Sequence, residues 1–456
     1  MSDKDQQQLN NLNSQNEFMI EKIKERPINK RKLIRRTLIT ASMAVVFGLI
    51  ACVTFLVLEP VLSNWLYPEE EPAPVFFPED QQEMTPEEML SENQTSENDQ
   101  ETGGDEVSLE QEQIQEILSK VVLDKDSYRQ IYSALSAYVT ELNHYMVTVT
   151  GVSSNIDWFN NVEESRNQSS GVIIADNGKE LLVLADYTPL RKAESLTLTF
   201  SYLSASASDN SAYHVPAKLK SQDTATNLAV LSVDLEDVPT EVREGGLQIA
   251  TLGSSAGRHI IGTPVVALGS PIGSSGSVGH GMITATVDQS NQADTNYKLL
   301  QTDIYGSQNA GGVIFNMQGQ VIGVITNQKP GTDMKNMLTA YGISELKKSI
   351  EKMSNGEEIA YLGISGIDVT AEANEELGVP YGAFVREAKM NSPSMQAGIQ
   401  QGDVITEFDA RAIHSYNDYI SALMQAEVGS TVKLKVMRAA QGAYREMEIS
   451  VTLDKR

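Results

Sequence analysis

The chain has 456 residues, 41% of them hydrophobic, and a formal net charge of −26, which suits two or three folded domains and excludes a wholly unfolded chain. So acidic a surface repels phosphates and excludes a nucleic-acid partner. One cysteine, Cys52, excludes an internal disulfide, and its apolar surroundings make it a small hydrophobe.

Residues 1–36 are a polar, basic tail ending in Lys30, Arg31, Lys32, Arg35 and Arg36. Residues 37–58 carry no charge and are dominated by Leu, Ile, Ala, Val, Phe and Met, the length that one helix needs to cross a bilayer. Basic residues before this run and Glu59 after it place the N-terminus in the cytoplasm and the remainder outside. A cleaved signal peptide has the same charge order. The length of the run, the polar residues ahead of it and the lack of an Ala-x-Ala site favour an uncleaved anchor, with Trp65 and Tyr67 at the outer interface.

Residues 59–112 read as an acidic disordered linker, since no Lys or Arg occurs between 68 and 119 and such a segment repels itself. Cation binding is its other reading. Within 113–143 the spacing of Tyr128, Ile131, Leu135, Tyr138, Val139 and Leu142 predicts an amphipathic helix, packed on its own domain or used for self-association. Residues 144–342 are short β-type runs separated by Gly, Ser, Asn and Asp, the texture of a sandwich or a pair of barrels. A linker helix over 343–356 ends at Asn355-Gly356, and 357–456 alternates strands with a helix as a small α+β domain.

The blocks from 144 onward resemble the HtrA (Deg) family of serine proteases. Ser169-Ser170-Gly171-Val172-Ile173-Ile174, Asn227-Leu228-Ala229-Val230-Leu231, Val265-Val266-Ala267-Leu268-Gly269-Ser270-Pro271-Ile272-Gly273 and Gln318-Gly319-Gln320-Val321-Ile322-Gly323-Val324 occur in that family's order. The resemblance implies a mainly β fold: a chymotrypsin-like double β-barrel followed by a PDZ domain. It also locates the catalytic positions. The histidine position falls at or beside Asp186, the aspartate position at Asn227, and the serine position, just before Gly311-Gly312, at Ala310. Gln308 stands where a glycine supplies an oxyanion-binding N–H, and the loop from Asp303 is one residue short. In the last domain, Tyr361-Leu362-Gly363-Ile364 is similar to a PDZ carboxylate-binding loop, with Ile420 on the helix facing the peptide groove.

A methyl group cannot attack a carbonyl, and an ordinary aspartate is a weak base for a serine hydroxyl. The expectation is therefore a protein that is not an enzyme: an extracytoplasmic, membrane-anchored pseudoprotease that binds exported polypeptides or partner proteins by their C-termini without cleaving them. Two alternatives stand beside it. One is a divergent serine endopeptidase of envelope protein quality control that uses rearranged residues such as Ser307 or His280. The other is a homo-oligomeric scaffold, or a regulator paired with an active paralogue. No cofactor is implied, and no His, Cys, Asp or Glu set has metal-ligand spacing.

Overall fold

The structure, a computed structural model, describes residues 35, 38–52, 54, 72–80, 125–156, 162–200, 213–257, 259–288, 292–328, 336–440 and 442–456. They fall into two units, 1–71 and 72–456.

In the first unit residues 38–52 are helical, and Leu38, Met43, Val46, Phe47 and Ile50 are exposed. Among the described residues no helix is long and apolar enough to cross a membrane. The expected span of 37–58 is thus not supported, and its end, 55–58, lies outside the described residues, as do nearly all of 1–36, Trp65 and Tyr67.

The second unit begins with residues 72–80, which lie inside the stretch read as linker and which differ from that reading. Phe77 is buried in the main core, and Val75 packs beside it. Val75 exchanges hydrogen bonds with the Asn355 side chain at 2.8 and 2.9 Å, the Phe77 N–H donates to Glu351 Oε2 at 3.0 Å, and Lys347 Nζ donates to Asp80 Oδ1 at 2.6 Å. Two apolar side chains, Val75 and Phe77, supply the anchor that the surrounding acidity conceals, while Phe76 between them is exposed.

Helix α1 (Lys125–Leu142) follows, and the earlier part of the expected helix, up to 124, lies outside the described residues. Its Leu135, Tyr138, Val139 and Leu142 pack on the main core, and the Tyr138 hydroxyl donates to the carbonyl of Asn316.

Strands β1 (Met146–Ile156), β2 (Val162–Asp176), β3 (Glu180–Asp186), β4 (Ser195–Thr199), β5 (His214–Asp223) and β6 (Leu228–Asp234) close into one barrel in the order β1-β2-β3-β6-β5-β4. A second barrel uses β8 (Pro264–Ser270), β9 (Ser277–Asp288), β10 (Lys298–Tyr305), β11 (Gly311–Asn316), β12 (Gln320–Thr326) and β13 (Met337–Gly342), closed by pairing of β11 with β12, while β7 (Thr251–Leu252) runs parallel to β12. The double barrel is as expected. Strand β3 shows why its sequence is apolar throughout. Leu181, Val183 and Ala185 fill the first barrel, whereas Leu182 and Leu184 join Val266, Leu268, Val313 and Phe315 between the barrels.

Helix α2 (Ile343–Ser354) buries Ile343, Leu346, Ile350 and Met353 in this shared core. The last domain has edge strand β15 (Ile364–Asp368), then β16 (Ala383–Ala388), β17 (Val404–Phe408), β19 (Thr431–Ala440) and β20 (Ala443–Thr452), with short pieces β14 (Ala360–Tyr361), β18 (Arg411–Ala412) and β21 (Asp454–Lys455). Helix α3 (Tyr416–Leu423) starts in a capping box between Ser415 and Asp418 and buries Tyr419 and Leu423, as its spacing predicts.

Arg456 ties this domain to both barrels. Its guanidinium donates to Asp223 Oδ1 at 3.0 Å and Oδ2 at 2.7 Å, to Tyr297 Oη at 2.9 Å, to Ser349 Oγ at 3.2 Å and to the Asp294 carbonyl at 3.2 Å. Both partners of the ion pair are buried. Arg456→Ala leaves the Asp223 carboxylate uncompensated, and a loss of roughly 3–5 kcal/mol is expected. A urea unfolding curve measures it; an unchanged midpoint would show the pair to be dispensable.

Candidate functional site

Parity along β3 builds the site. Leu182 and Leu184 face the second barrel, so Asp186, two residues on, faces it as well. Its carboxyl lies so close to Gly311 that a Cβ there would stand 2.2 Å from Oδ2, and the Gly312 N–H donates to it. Gly311 is needed for this approach. Burial pushes the Asp186 carboxyl up to about 7, and the hydrogen bond from Gly312 opposes the rise. The strand is held at this end by the Asp186 N–H, which donates to Ser169 Oγ at 3.1 Å.

Asn227 lies next to Asp186 across the ladder, since Asp186 pairs with Leu228. It adopts a left-handed conformation, φ 61°, and its Oδ1 accepts from the Thr188 N–H at 2.8 Å and from the Thr188 hydroxyl. An amide suits this turn, where it organises residues 187–188. Ala310 is 4% exposed and its methyl joins Ile304, Ile314 and Leu338 inside the second barrel. Its N–H donates to the Ser307 carbonyl at 3.3 Å. Gln308 is exposed on the same turn. The structure thus brings positions 186, 227 and 310 to one end of the interbarrel cleft.

Ser307 and His280 are not brought together. Ser307 Oγ accepts from the Asn309 N–H at 3.2 Å, and exposed His280 lies edge-on to Tyr132 of α1 with ring centroids 6.0 Å apart. Among the described residues no group of three or more His, Cys, Asp or Glu side chains is placed to hold a metal ion.

The second candidate centre is the loop at Tyr361-Leu362-Gly363-Ile364. Leu362, Gly363 and Ile364 are buried, Tyr361 is half-buried, and Gly363 has φ 88° with a Cβ excluded by Ser392 at 2.3 Å. Ile420 is half-buried between the core of this domain and the main core. Tyr416 is buried in the groove and its hydroxyl donates to the Ile364 carbonyl at 3.0 Å. The three N–H groups of the loop already have an acceptor. Asp294 Oδ2 accepts from Leu362 and Gly363 at 2.7 and 2.6 Å, and Oδ1 accepts from Ile364 at 3.1 Å and from the Tyr419 hydroxyl at 2.6 Å. The Asp294 N–H donates in turn to the Ile364 carbonyl at 2.7 Å. Burial pushes the Asp294 carboxyl up, and the donors from Tyr419, Gly363, Ile364 and Leu362 pull it down. Nothing in the sequence marks Asp294, because its partners lie some 70 residues away.

Residues 169–324 match the family model described as trypsin-like peptidase domain, and residues 360–451 match the PDZ domain model. The chain is 27% identical over 296 residues to the "Probable periplasmic serine endoprotease DegP-like" of Halomonas elongata, covering 63% of this chain and 57% of that protein. With the protein of the same description from Rickettsia prowazekii the identity is 31% over 301 residues, covering 62% and 53%. The serine protease Do-like HtrA of Lactococcus lactis is 28% identical over 323 residues, covering 66% of this chain and 74% of that one. The chain is thus HtrA-like, a trypsin-like peptidase domain followed by a PDZ domain, and it spans a little over half the length of the two DegP-like relatives. These relatives overturn the expectation of a non-enzyme: all three are named as serine proteases or endoproteases.

The raised Asp186 carboxyl has a stability consequence. A carboxyl whose folded pKa lies above its unfolded value of 3.8 costs nothing below that value, costs progressively more between 3.8 and about 7, and carries its full cost above about 7. Asp186→Asn should therefore raise the unfolding midpoint at pH 8 and change it little at pH 4, by at most roughly 4 kcal/mol. Equal effects at both pH values would show the carboxyl to be unperturbed.

Proposed function

We propose that this chain is an extracytoplasmic, membrane-anchored HtrA-like endopeptidase that captures polypeptide C-termini at Tyr361, Leu362, Gly363 and Ile364, with Ile420 along the groove, and hydrolyses them at a rearranged centre. The observation that carries the catalytic part is the Asp186 carboxyl at the interbarrel cleft, against Gly311 and with a pKa near neutrality. With no hydroxyl at Ala310, chemistry runs without an acyl-enzyme at that residue. The Asp186 carboxylate takes a proton from water as the water oxygen attacks the scissile carbonyl, and the resulting acid protonates the departing amine. A pKa near 7 suits both halves of that exchange. Substrate must also free the Ala310 N–H from the Ser307 carbonyl before it can support a developing oxyanion.

The names of the periplasmic relatives support the extracytoplasmic placement. The anchor rests on sequence alone, on the uncharged apolar run at 37–58 with basic residues ahead of it. The full chain in detergent, incubated with fluorescently labelled casein between pH 6 and 8.5, tests the catalytic part. Cleavage is expected to rise through pH 7, to fall at least about tenfold in Asp186→Asn and to persist in Ser307→Ala. Absence of cleavage by the wild-type chain would remove the catalytic half of the proposal.

Self-association is a second reading with its own observation. On α1, Tyr128, Ile131 and Tyr132 are 63%, 58% and 44% exposed, on a helix whose other side is packed. Light scattering of the full chain should give an oligomer, and Tyr128→Ser with Ile131→Ser and Tyr132→Ser should lower its mass. An unchanged mass would take α1 out of the interface.

A further inference from the structure

Asp294 satisfies the loop at 361–364 in the way that an incoming chain end would have to. A C-terminal residue bound by strand addition offers a carboxylate to successive loop N–H groups and its own N–H to the edge strand. Asp294 offers both: its carboxylate takes the N–H groups of Leu362, Gly363 and Ile364, and its N–H donates to the Ile364 carbonyl. It is 1% exposed, so water has no access to the loop donors while it is seated. The residue belongs to the β9–β10 connection of the second barrel, outside the PDZ domain.

Three further contacts hold it there. The Tyr419 hydroxyl donates to Oδ1 from the floor of the groove, Arg456 donates to the Asp294 carbonyl, and Asn296 Nδ2 donates to Asn417 Oδ1 at 2.7 Å. A left-handed backbone, φ 55°, turns the carboxylate towards the loop. Beyond this point the groove is open. It widens into a cavity of about 740 Å³ lined by Ile367, Asp368, Asn417, Ile420 and Met424, with Phe76 and Lys347 on the opposite wall. Space for the upstream residues of a ligand is present beyond the carboxylate position and the Ile364 carbonyl, both of which Asp294 fills.

We infer that Asp294 is an intrachain ligand of the PDZ carboxylate loop, and that a polypeptide C-terminus binds by displacing it and freeing the 292–297 connection of the second barrel. This rests on the reading of 361–364 as a carboxylate-binding loop. Binding is then a competition, in which apparent affinity is reduced by the fraction of molecules with Asp294 seated. Displacement also loosens a segment that touches the first barrel, because Gln292 Nε2 donates to the Ala225 carbonyl at 3.0 Å, two residues before Asn227.

The probe is a fluorescein-labelled library of degenerate decapeptides with free C-termini, titrated into the full chain and read by fluorescence polarisation, with the C-terminally amidated library as control. Asp294→Gly removes the carboxylate and tolerates the positive φ, and Asp294→Asn keeps the backbone and the side-chain volume should the glycine variant fold poorly. Both variants are expected to bind the free-acid library at least about tenfold more tightly than the wild type, and to ignore the amide. Equal affinity of wild type and variants overturns the inference while leaving C-terminal capture intact. If no form binds the free acid, or if the amide binds as well, C-terminal capture fails and the inference falls with it. In the unaltered chain, hydrogen exchange at 292–298 should rise on saturation with the free-acid library; measurable binding with unchanged exchange also overturns the inference.

Discussion

A buried charge that cannot be left alone organises this molecule. Asp223 is fully enclosed at the end of β5, where an isolated carboxylate would cost several kcal/mol, and among the described residues Arg456, 233 positions on, is the cation that neutralises it. Thr226 Oγ1 and the Ala225 N–H fill the remaining acceptor positions of Asp223. The same guanidinium reaches Tyr297, Ser349 and the Asp294 carbonyl, so the first barrel, the second barrel, α2 and the PDZ domain meet at one planar group. Such a pair adds little net stability over a well-packed apolar substitute. It does fix a single arrangement, since any other docking of the PDZ domain strands both charges. The register that places Asp294 opposite 361–364 follows from it.

Around the interbarrel cleft, a second constraint is geometric. Successive residues of a strand point to opposite faces, so a strand shared by a barrel interior and a barrel interface must be apolar on both, and β3 is. Asp186 continues the interface row at the point where the strand emerges. Its carboxyl therefore lies against the 310–312 turn, and burial there raises it. Asn227 is the acceptor that folds residues 187–188 back over the strand end.

Much of this was legible in the sequence because it is local. Period-two patterns and Gly-rich turns announce the strands, Val265 to Gly273 carries enough fixed glycines to define its turn, and Tyr419 and Leu423 fall on the buried face of their helix by spacing alone. Asp186, Asn227 and Ala310 were singled out by motif order, and in the fold Asp186 lies beside Leu228 and against Gly311. What those residues do was not legible, because the rise in the Asp186 carboxyl comes from burial against a turn more than a hundred residues away in the chain. The docking of 72–80 was concealed by composition: its neighbours are acidic, and Val75, Phe76 and Phe77 are too few to form a pattern. Asp294 was invisible for a stronger reason. One aspartate in a polar loop carries no signal, and its role exists only once two domains have been brought together.

The strap at 72–80 has a mechanical consequence. It is fastened chiefly to α2: Asn355 holds Val75, Glu351 holds the Phe77 N–H, and Lys347 holds Pro78 and Asp80. These anchors repeat every four residues along one face of the helix, so a pull on the chain ahead of residue 72 is shared by several bonds loaded in shear. The force would be delivered to the helix that joins the barrels to the PDZ domain and, through the Ala73 N–H on the Asn177 carbonyl, to the β2–β3 turn of the first barrel. Tension on the strap is thereby divided between the junction of the domains and the turn beside it.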